Sequence, residues 1–227
     1  MQVNLEKRLS HGLYLLTNWT WSHGLDNSLS DGGVPGPVPE DPNNRRADWA
    51  TSNSDIRHRV NVAATYRLPL GHSNGVASQL GRDWQIGEVL VVQSGLPFTV
   101  TVPGSPSNTG AGSRANPVIG LSPIPAPQSI NQWFNPGAFA IPPAYTWGTL
   151  ARDSLNGPRL VNLDTVVSRK FLLGEHRNLD FRWELFNGAN HPQFGLPAST
   201  IGVGGVGTIT SAQRANRQMQ LALRLSF

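Results

Sequence analysis

The chain has 227 residues, of which 38% are hydrophobic and only 14% charged, a composition that excludes a coiled coil and a highly charged disordered chain. Its net charge of +4 is spread out, with acids beside the basic groups of "EKR" and "NNRRAD", so we expect no nucleic-acid partner. The absence of cysteine excludes disulfides, thiolate nucleophiles and cysteine metal sites.

Alternation with a period of two, in which successive side chains point to opposite faces, predicts seven strands along the chain. The first alternates Val3 and Leu5 with polar residues, and "LYLLTNWTW" follows it after the tight turn "SHG". The fourth, "WQIGEVLVVQ", alternates less cleanly, so its faces stay unassigned. The last, "QMQLALRLSF", places four large apolar residues and the terminal Phe227 on one face. The predicted strands cover 2–9, 13–22, 55–68, 83–94, 160–171, 178–187 and 216–227.

The connectors between these strands alternate between two kinds. Short ones lie near 10–12, 69–82 and 173–177, and long ones rich in Gly, Pro, Asn and Ser cover 23–54, 95–157 and 188–213. If neighbouring strands are antiparallel, all short turns lie at one end of the sheet and all long loops at the other. That layout is typical of an outer-membrane β-barrel, so we predict an all-β, antiparallel up-and-down sheet.

A soluble sandwich also alternates, so the two faces of the strands have to be compared. The polar face carries several formal charges per strand, as a wet lumen allows, and aromatic residues lie near strand ends, where a membrane interface is expected. No apolar run reaches the ~18–20 residues that a membrane helix needs. Glu6, Lys7 and Arg8 stand where the apolar stretch of a signal peptide should begin. We expect strands that span the outer membrane, and no signal peptide within this sequence.

The number of predicted strands bears on the extent of the barrel. A sheet in lipid must close, because open edges leave backbone groups without hydrogen bonds. Bacterial single-chain barrels use an even number of strands, about eight at the least. Seven strands therefore predict the C-terminal portion of a larger barrel.

Several motifs resemble the C-terminal barrel region of TonB-dependent receptor-like outer-membrane proteins, notably the large acidobacterial kind with a carboxypeptidase-regulatory-like domain at the N-terminus. They are "MQVNLEKRLSHGLYLLTNWTWSH", "NNRRADWATSNSDIRHRV", "QSGLPFTVTV", "QWFNPGAFA", "NGPRLVNLDTVVSRKF", "FRWELFNGANHPQFGLP" and "MQLALRLSF". The resemblance implies about the last third of a 22-stranded barrel that holds a plug and is energised through TonB. We expect neither a plug nor a TonB box within these 227 residues.

The same resemblance implies partners for the chain and a role for its last strand. The partners would be outer-membrane lipid, the TonB system through the missing plug, and the barrel-assembly machinery. Leu223, Leu225 and Phe227 would then form the assembly signal as well as part of the lipid-facing wall.

The longest predicted loop carries the candidate ligand contacts. Trp133, Phe134, Tyr145 and Trp147, together with Phe139, could stack on a sugar or an organic iron chelate. The alternative is that these aromatic residues fold the loop on itself.

The remaining motifs do not indicate a cofactor or metal site. "GVGGVG" lacks the following helix of a dinucleotide site, and the histidines lack zinc-binding spacing. Asp41 and Asp48 lack the calcium-loop pattern and are expected in a solvated loop. We expect no catalytic residue, cofactor or metal, and hence no enzyme. The functional hypotheses are energised uptake of a scarce solute (iron chelate, vitamin or glycan), a structural or adhesive surface barrel, and a soluble β-rich binding domain.

Overall fold

The computed structural model describes residues 1–27, 39–70, 81–174 and 177–227. Seven long strands form one antiparallel sheet, and each lies beside the long strand that precedes it in the chain. The predicted seven-stranded up-and-down sheet is therefore confirmed, and the strand bounds differ from the predicted ones by at most three residues. The long strands are β1 (Gln2–Ser10), β2 (Leu13–Trp21), β5 (His58–Arg67), β6 (Gln85–Gln93), β11 (Leu160–Leu172), β12 (Asn178–Phe186) and β13 (Gln218–Ser226).

The long loops contain short elements that the sequence did not predict. Three pairs of two-residue strands and two 3-10 turns lie within them. The strand pairs are β3 (Leu25–Asp26) with β4 (Ala50–Thr51), β7 (Pro97–Phe98) with β10 (Leu155–Asn156), and β8 (Asn116–Pro117) with β9 (Phe139–Ala140). The 3-10 turns cover Arg45–Asp48 and Pro136–Ala138.

The predicted turn between β1 and β2 has the geometry of a two-residue hairpin loop. His11 and Gly12 both have positive φ values, of 52° and 78°. The Arg67 N–H donates to the Gly12 carbonyl over 2.8 Å, and a Cβ on Gly12 would lie 2.8 Å from the Arg67 carbonyl oxygen. Only glycine fits this approach. Parts of the other two predicted turns, 71–80 and 175–176, lie outside the described residues.

The strand register gives the sheet an apolar face and a polar face. On the last two strands the apolar face is formed by four cross-strand pairs, and the opposite face by four polar pairs and by Phe186–Gln218. The apolar pairs are Leu179–Leu225, Phe181–Leu223, Trp183–Leu221 and Leu185–Met219. The polar pairs are Asn178–Ser226, Asp180–Arg224, Arg182–Ala222 and Glu184–Gln220. The alternation read from "QMQLALRLSF" thus continues across the sheet.

Several ionisable residues break the pattern of the apolar face. The register places Glu88 of β6 between Ala64 and Thr165, and therefore on this face, while Val89 moves to the polar face. Lys7 joins the apolar face through its pairing with Leu15. Arg169 joins it through its pairing with Phe181. The faces of β6, which the sequence left open, are thus assigned by its two neighbouring strands.

The hydrophobic core of the described residues lies in the loops and not on the sheet. Leu160, at the start of β11, is the single buried hydrophobic residue within the seven long strands as described. By contrast, Leu5, Leu221 and Leu223 on the apolar face are more than 60% exposed. No second sheet covers that face in the described part of the chain, so the sheet is not one layer of a soluble sandwich.

The two outermost strands each have one neighbour. Within the described ranges, β1 pairs only with β2 and β13 pairs only with β12, so each presents an open edge. None of the helical segments in those ranges is long and apolar enough to cross a membrane.

Candidate functional site: the loop cluster and the polar face

The described residues of the three long loops pack into one body at the loop end of the sheet, which we call the loop cluster. Phe134 lies at its centre, fully buried, with ring centroids 5.8 Å from Phe98 and 5.7 Å from Phe139. Val100 and Ile201 complete the contact between the second and third loops. These loops are therefore held together by an apolar core of their own.

A buried glutamate ties the first long loop to the second. Glu40 is 4% exposed, and its Oε2 accepts hydrogen bonds from the backbone N–H groups of Ser113 and Arg114, each over 3.1 Å. Its Oε1 accepts the Gly148 N–H over 2.8 Å. One carboxylate thus joins three chain segments, and these hydrogen bonds compensate the cost of its burial.

Arg114 extends this contact to the Arg45–Asp48 turn. Its guanidinium lies 3.2 Å from Glu40 Oε2 and 3.4 Å from Asp48 Oδ1, and it donates to the Ala47 carbonyl over 3.1 Å. Asp48 is 1% exposed, so the expectation of a solvated loop was wrong for this residue. The described residues contain no group of His, Asp and Glu that could hold a metal ion.

Arg152 forms a second buried centre in the loop cluster. It pairs with the Asp26 carboxylate, lies 3.5 Å from Asp153 Oδ2, and donates to the Asp48 carbonyl over 3.3 Å. Burial raises the pKa of the Asp153 carboxyl, against the opposing effects of a hydrogen bond from the Thr99 hydroxyl and of the Arg152 charge. Sequence reasoning missed this centre, because Asp26 and Asp48 lie 126 and 104 positions from Arg152 in the chain.

The third long loop completes the edge of β11 where it extends beyond β12. Gln193 acts like a short piece of strand: its Oε1 accepts the Val161 N–H over 3.1 Å, and its Nε2 donates to the Val161 carbonyl. At Leu163, two positions after Val161 in β11, the carbonyl accepts the Gly188 N–H over 2.6 Å. The backbone of β11 is therefore paired along this edge, as a strand leaving lipid requires.

The structure separates the four candidate ligand-contacting aromatic residues. Phe134 is part of the buried core, which removes it from the surface that a ligand could touch. Tyr145 is 78% exposed. Trp147 is half-buried, with its ring against Gly112, and Trp133 is half-buried with its indole N–H donating to the Asn156 carbonyl over 2.8 Å.

Trp133 lines a cleft on the loop cluster. The cleft also contains Gln128 and Asn156, and an apolar cleft beside it is lined by Leu121 and Phe139. The two clefts share Pro123, Ser154 and Leu155, and neither is lined by a charged side chain. Tyr145 and Trp147 line neither of them, so the structure does not unite the predicted aromatic residues in one site.

Charges on the polar face are paired mainly along the strands. Arg182 lies 2.6 Å from Glu184 on the same strand, and Asp164 accepts the Asn187 N–H over 2.8 Å. Before β5, Arg57 lies 3.3 Å from Asp55. The two ion pairs thus join residues two positions apart in the chain, whereas Asp164 binds the backbone just beyond the neighbouring strand β12.

The last strand places the predicted assembly signal on the apolar face. Leu223 and Leu225 are 64% and 56% exposed, and Phe227, one residue beyond β13, is 93% exposed. Nothing in the described part of the chain covers these side chains.

An open antiparallel sheet with a bare apolar face, a charged opposite face and its long loops gathered at one end defines the wall of a membrane-spanning β-barrel. The model of the family described as "Outer membrane beta barrel domain" matches residues 1–220, and the chain belongs to this family. Its place is thus the outer membrane. No curated protein and no solved structure matches the chain significantly.

Proposed function

We propose that this chain forms part of the barrel wall of a TonB-dependent receptor that takes up a scarce solute across the outer membrane. The observation that carries the proposal is the seven-stranded wall with two open edges, which a wider barrel would complete. The receptor-like motifs, which run from the first strand to the last, support the same reading. The solute class would be an iron chelate, a vitamin or a glycan.

In this proposal the chain catalyses no reaction and uses no cofactor. The solute binds at the loop cluster, and work delivered through TonB to a plug domain moves it through the barrel. The terminal strand, with Leu223, Leu225 and Phe227, is read by the barrel-assembly machinery. The apolar face contacts outer-membrane lipid.

The Trp133 cleft is the place that we assign to a neutral part of the solute, such as a sugar ring. An indole offers a broad apolar face for stacking, and Gln128 and Asn156 supply polar groups at the cleft wall. In the protein purified from outer membranes, we expect Trp133→Ala to weaken solute binding about tenfold. Trp133→Phe, which keeps a ring but loses the indole N–H, should weaken it less.

The matched control for this experiment is Trp49→Ala. Trp49 is another loop tryptophan, 57% exposed, and it lies outside the Trp133 cleft. Equal affinities of the wild-type protein and Trp133→Ala would refute the ligand contact. Equal losses in Trp133→Ala and Trp49→Ala would point to a general effect on the loops.

The second candidate function is a surface barrel that displays its loops for structure or adhesion. The observation that favours it is the internal core of the loop cluster, with the buried Glu40 and Arg152, since such a body keeps its shape without a ligand. TonB dependence separates the two functions. Uptake requires both this protein and TonB, whereas display is unchanged in a strain without TonB.

A further inference from the structure

A charged cleft of about 680 Å³ lies on the polar face at the short-turn end of the sheet, opposite the loop cluster. Residues at or beside the ends of five strands line it: β5, β6, β11, β12 and β13. Five basic and two acidic residues are among the lining: Arg67, Arg169, Lys170, Arg182 and Arg224 against Asp83 and Asp180. The cleft is therefore positive overall.

The strand register concentrates this charge around a single carboxylate. Asp180 pairs with Lys170 on one side and with Arg224 on the other, and Arg182 follows two positions along its own strand. Neighbouring strands lie about 4.8 Å apart, and diagonal neighbours lie about 7–8 Å apart. Three cations thus surround one acid within the span of a small multivalent anion.

Most of these cations have no charged partner of their own. Arg67, Lys170 and Arg224 are exposed and form no ion pair with any described residue. Arg182 is paired with Glu184, which lies outside the cleft. A guanidinium has five N–H groups, so this ion pair leaves Arg182 with further hydrogen-bond donors for a ligand. The excess positive charge is therefore available to a ligand.

The floor of the cleft suits the oxygen atoms of such a ligand. Between Arg67 and Arg182 the register inserts Gln85 and Ser168, which offer hydrogen-bond donors and add no negative charge. The walls of a barrel in lipid have a low dielectric constant, which focuses the field of these cations into the lumen. Arginine in particular binds carboxylate and phosphate groups with two parallel hydrogen bonds.

We propose that this cleft is a binding site for small anions that carry two or more phosphate or carboxylate groups. The site lies at the opposite end of the wall from the Trp133 cleft, so a solute entering at the loops would reach it last. The inference rests on the polar face lining water inside a barrel, and it does not require energised uptake.

The test uses the protein purified from outer membranes in neutral detergent, with binding measured by calorimetry at low ionic strength. Pyrophosphate and citrate are the probes, which distinguish phosphate from carboxylate recognition, and acetate is the monovalent control. We expect both multivalent anions to bind the wild-type protein more tightly than acetate. The double variant Lys170→Gln/Arg224→Gln should weaken their binding about tenfold, because two charge-assisted contacts are lost.

Two further variants make the result specific to the cleft. Arg59→Gln removes one cation from the same face, but Arg59 pairs with Gln93 at the loop end and does not line the cleft, so affinity should stay within about twofold. Asp180→Asn removes the central acid and should tighten binding about threefold.

Three results would overturn the proposal. The first is no binding of either probe to a protein that shows heat-modifiable migration and hence an intact barrel. The second is a loss in Arg59→Gln equal to that in the double variant. The third is unchanged or weaker binding in Asp180→Asn, which decides the question even if the double variant fails to fold. Failure of the barrel to form would instead count against the proposed function.

Discussion

Arg169 lies on the apolar face of the sheet and is nevertheless 8% exposed. Its guanidinium lies 4.0 Å from the ring centroid of Phe171 and 5.6 Å from that of Trp84, and Trp84 meets Phe181 edge to face. A guanidinium is weakly hydrated and stacks on aromatic rings, which offsets the cost of a charge on the apolar face.

We therefore predict that Arg169→Lys destabilises the barrel by about 1–2 kcal/mol, because lysine keeps the charge but loses the stacking. The free energy of unfolding in urea, followed by tryptophan fluorescence in detergent, measures the effect. Lys170→Arg, one position along and on the polar face, is the matched control and should change little. Similar values for both exchanges would contradict the role of the aromatic rings.

Asp153 gives a prediction about pH. Burial raises the pKa of its carboxyl above the ordinary 3.8, although the Thr99 hydroxyl and the Arg152 guanidinium oppose the shift. The folded protein thus binds this proton more tightly than the unfolded chain, so ionisation lowers stability as the pH rises from 3.8 through the folded pKa. Asp153→Asn should stabilise the loop cluster at neutral pH.

The measurement for Asp153 is amide hydrogen exchange in the loop cluster, corrected for the intrinsic rate at each pH. Slower exchange in Asp153→Asn than in the wild-type protein at neutral pH, with the difference vanishing near pH ~4, is the expected result. Faster exchange in the variant at neutral pH would show that the ion pair with Arg152 outweighs the cost of burial.

Residues of this kind could not be predicted from the sequence. Asp48 and Glu40 look like ordinary loop acids there, because their burial depends on Arg114, Gly148 and Arg152. The contact from Glu40 to Gly148 spans 108 positions and leaves no periodic signal. The loop aromatic residues were indicated by composition, but only the folded core separates the buried Phe134 from the half-buried Trp133.

At the scale of single strands, the last strand tests what each face contacts. Leu223 is 64% exposed on the apolar face, and Gln220 lies opposite Glu184 on the polar face. We predict that Leu223→Arg lowers the free energy of unfolding in lipid vesicles by about 2–4 kcal/mol if it lies near mid-bilayer. Gln220→Arg should cost far less, because it meets water and a carboxylate. Comparable losses of unfolding free energy at the two positions would contradict the assignment of the apolar face to lipid and of the polar face to water.

Strand β6 is the element that the sequence could not orient. Its residues Val89 to Val92 are all apolar, so alternation is lost, and only pairing with β5 and β11 fixes the faces. That register leaves Glu88 exposed on the apolar face, between Ala64 and Thr165. The six other long strands alternate clearly enough for their existence and order to be predicted.

We predict that Glu88→Leu raises the free energy of unfolding in lipid vesicles by about 1 kcal/mol, since a carboxylate facing hydrocarbon is costly. Glu6→Leu is the control, because Glu6 lies on the polar face of β1 and is partly exposed. Its removal should have little effect or a small cost. A destabilised Glu88→Leu variant would mean that Glu88 has a partner on this face that is absent from the described residues.

At the scale of the whole molecule, the loop cluster and the sheet are stabilised by different interactions. The loop cluster has a core and buried ion pairs of its own, whereas the sheet relies on its ladder of backbone hydrogen bonds and on a surrounding medium that accepts its apolar face. The layout of strands and loops was predictable because it follows from local alternation and loop length. The internal order of the loops was not, because it follows from contacts between all three.

The open edges of β1 and β13 lead to the last prediction. Each unpaired backbone group in hydrocarbon costs several kcal/mol, so a sheet of seven strands with two bare edges cannot be the complete structure in lipid. We therefore expect native mass spectrometry of the protein extracted from outer membranes to give a mass above the 24.6 kDa of these 227 residues. The added mass represents further strands, in the same polypeptide or in other copies. A heat-modifiable species of 24.6 kDa would require β1 and β13 to pair with each other, and the wall would then be a narrow barrel with no room for a plug.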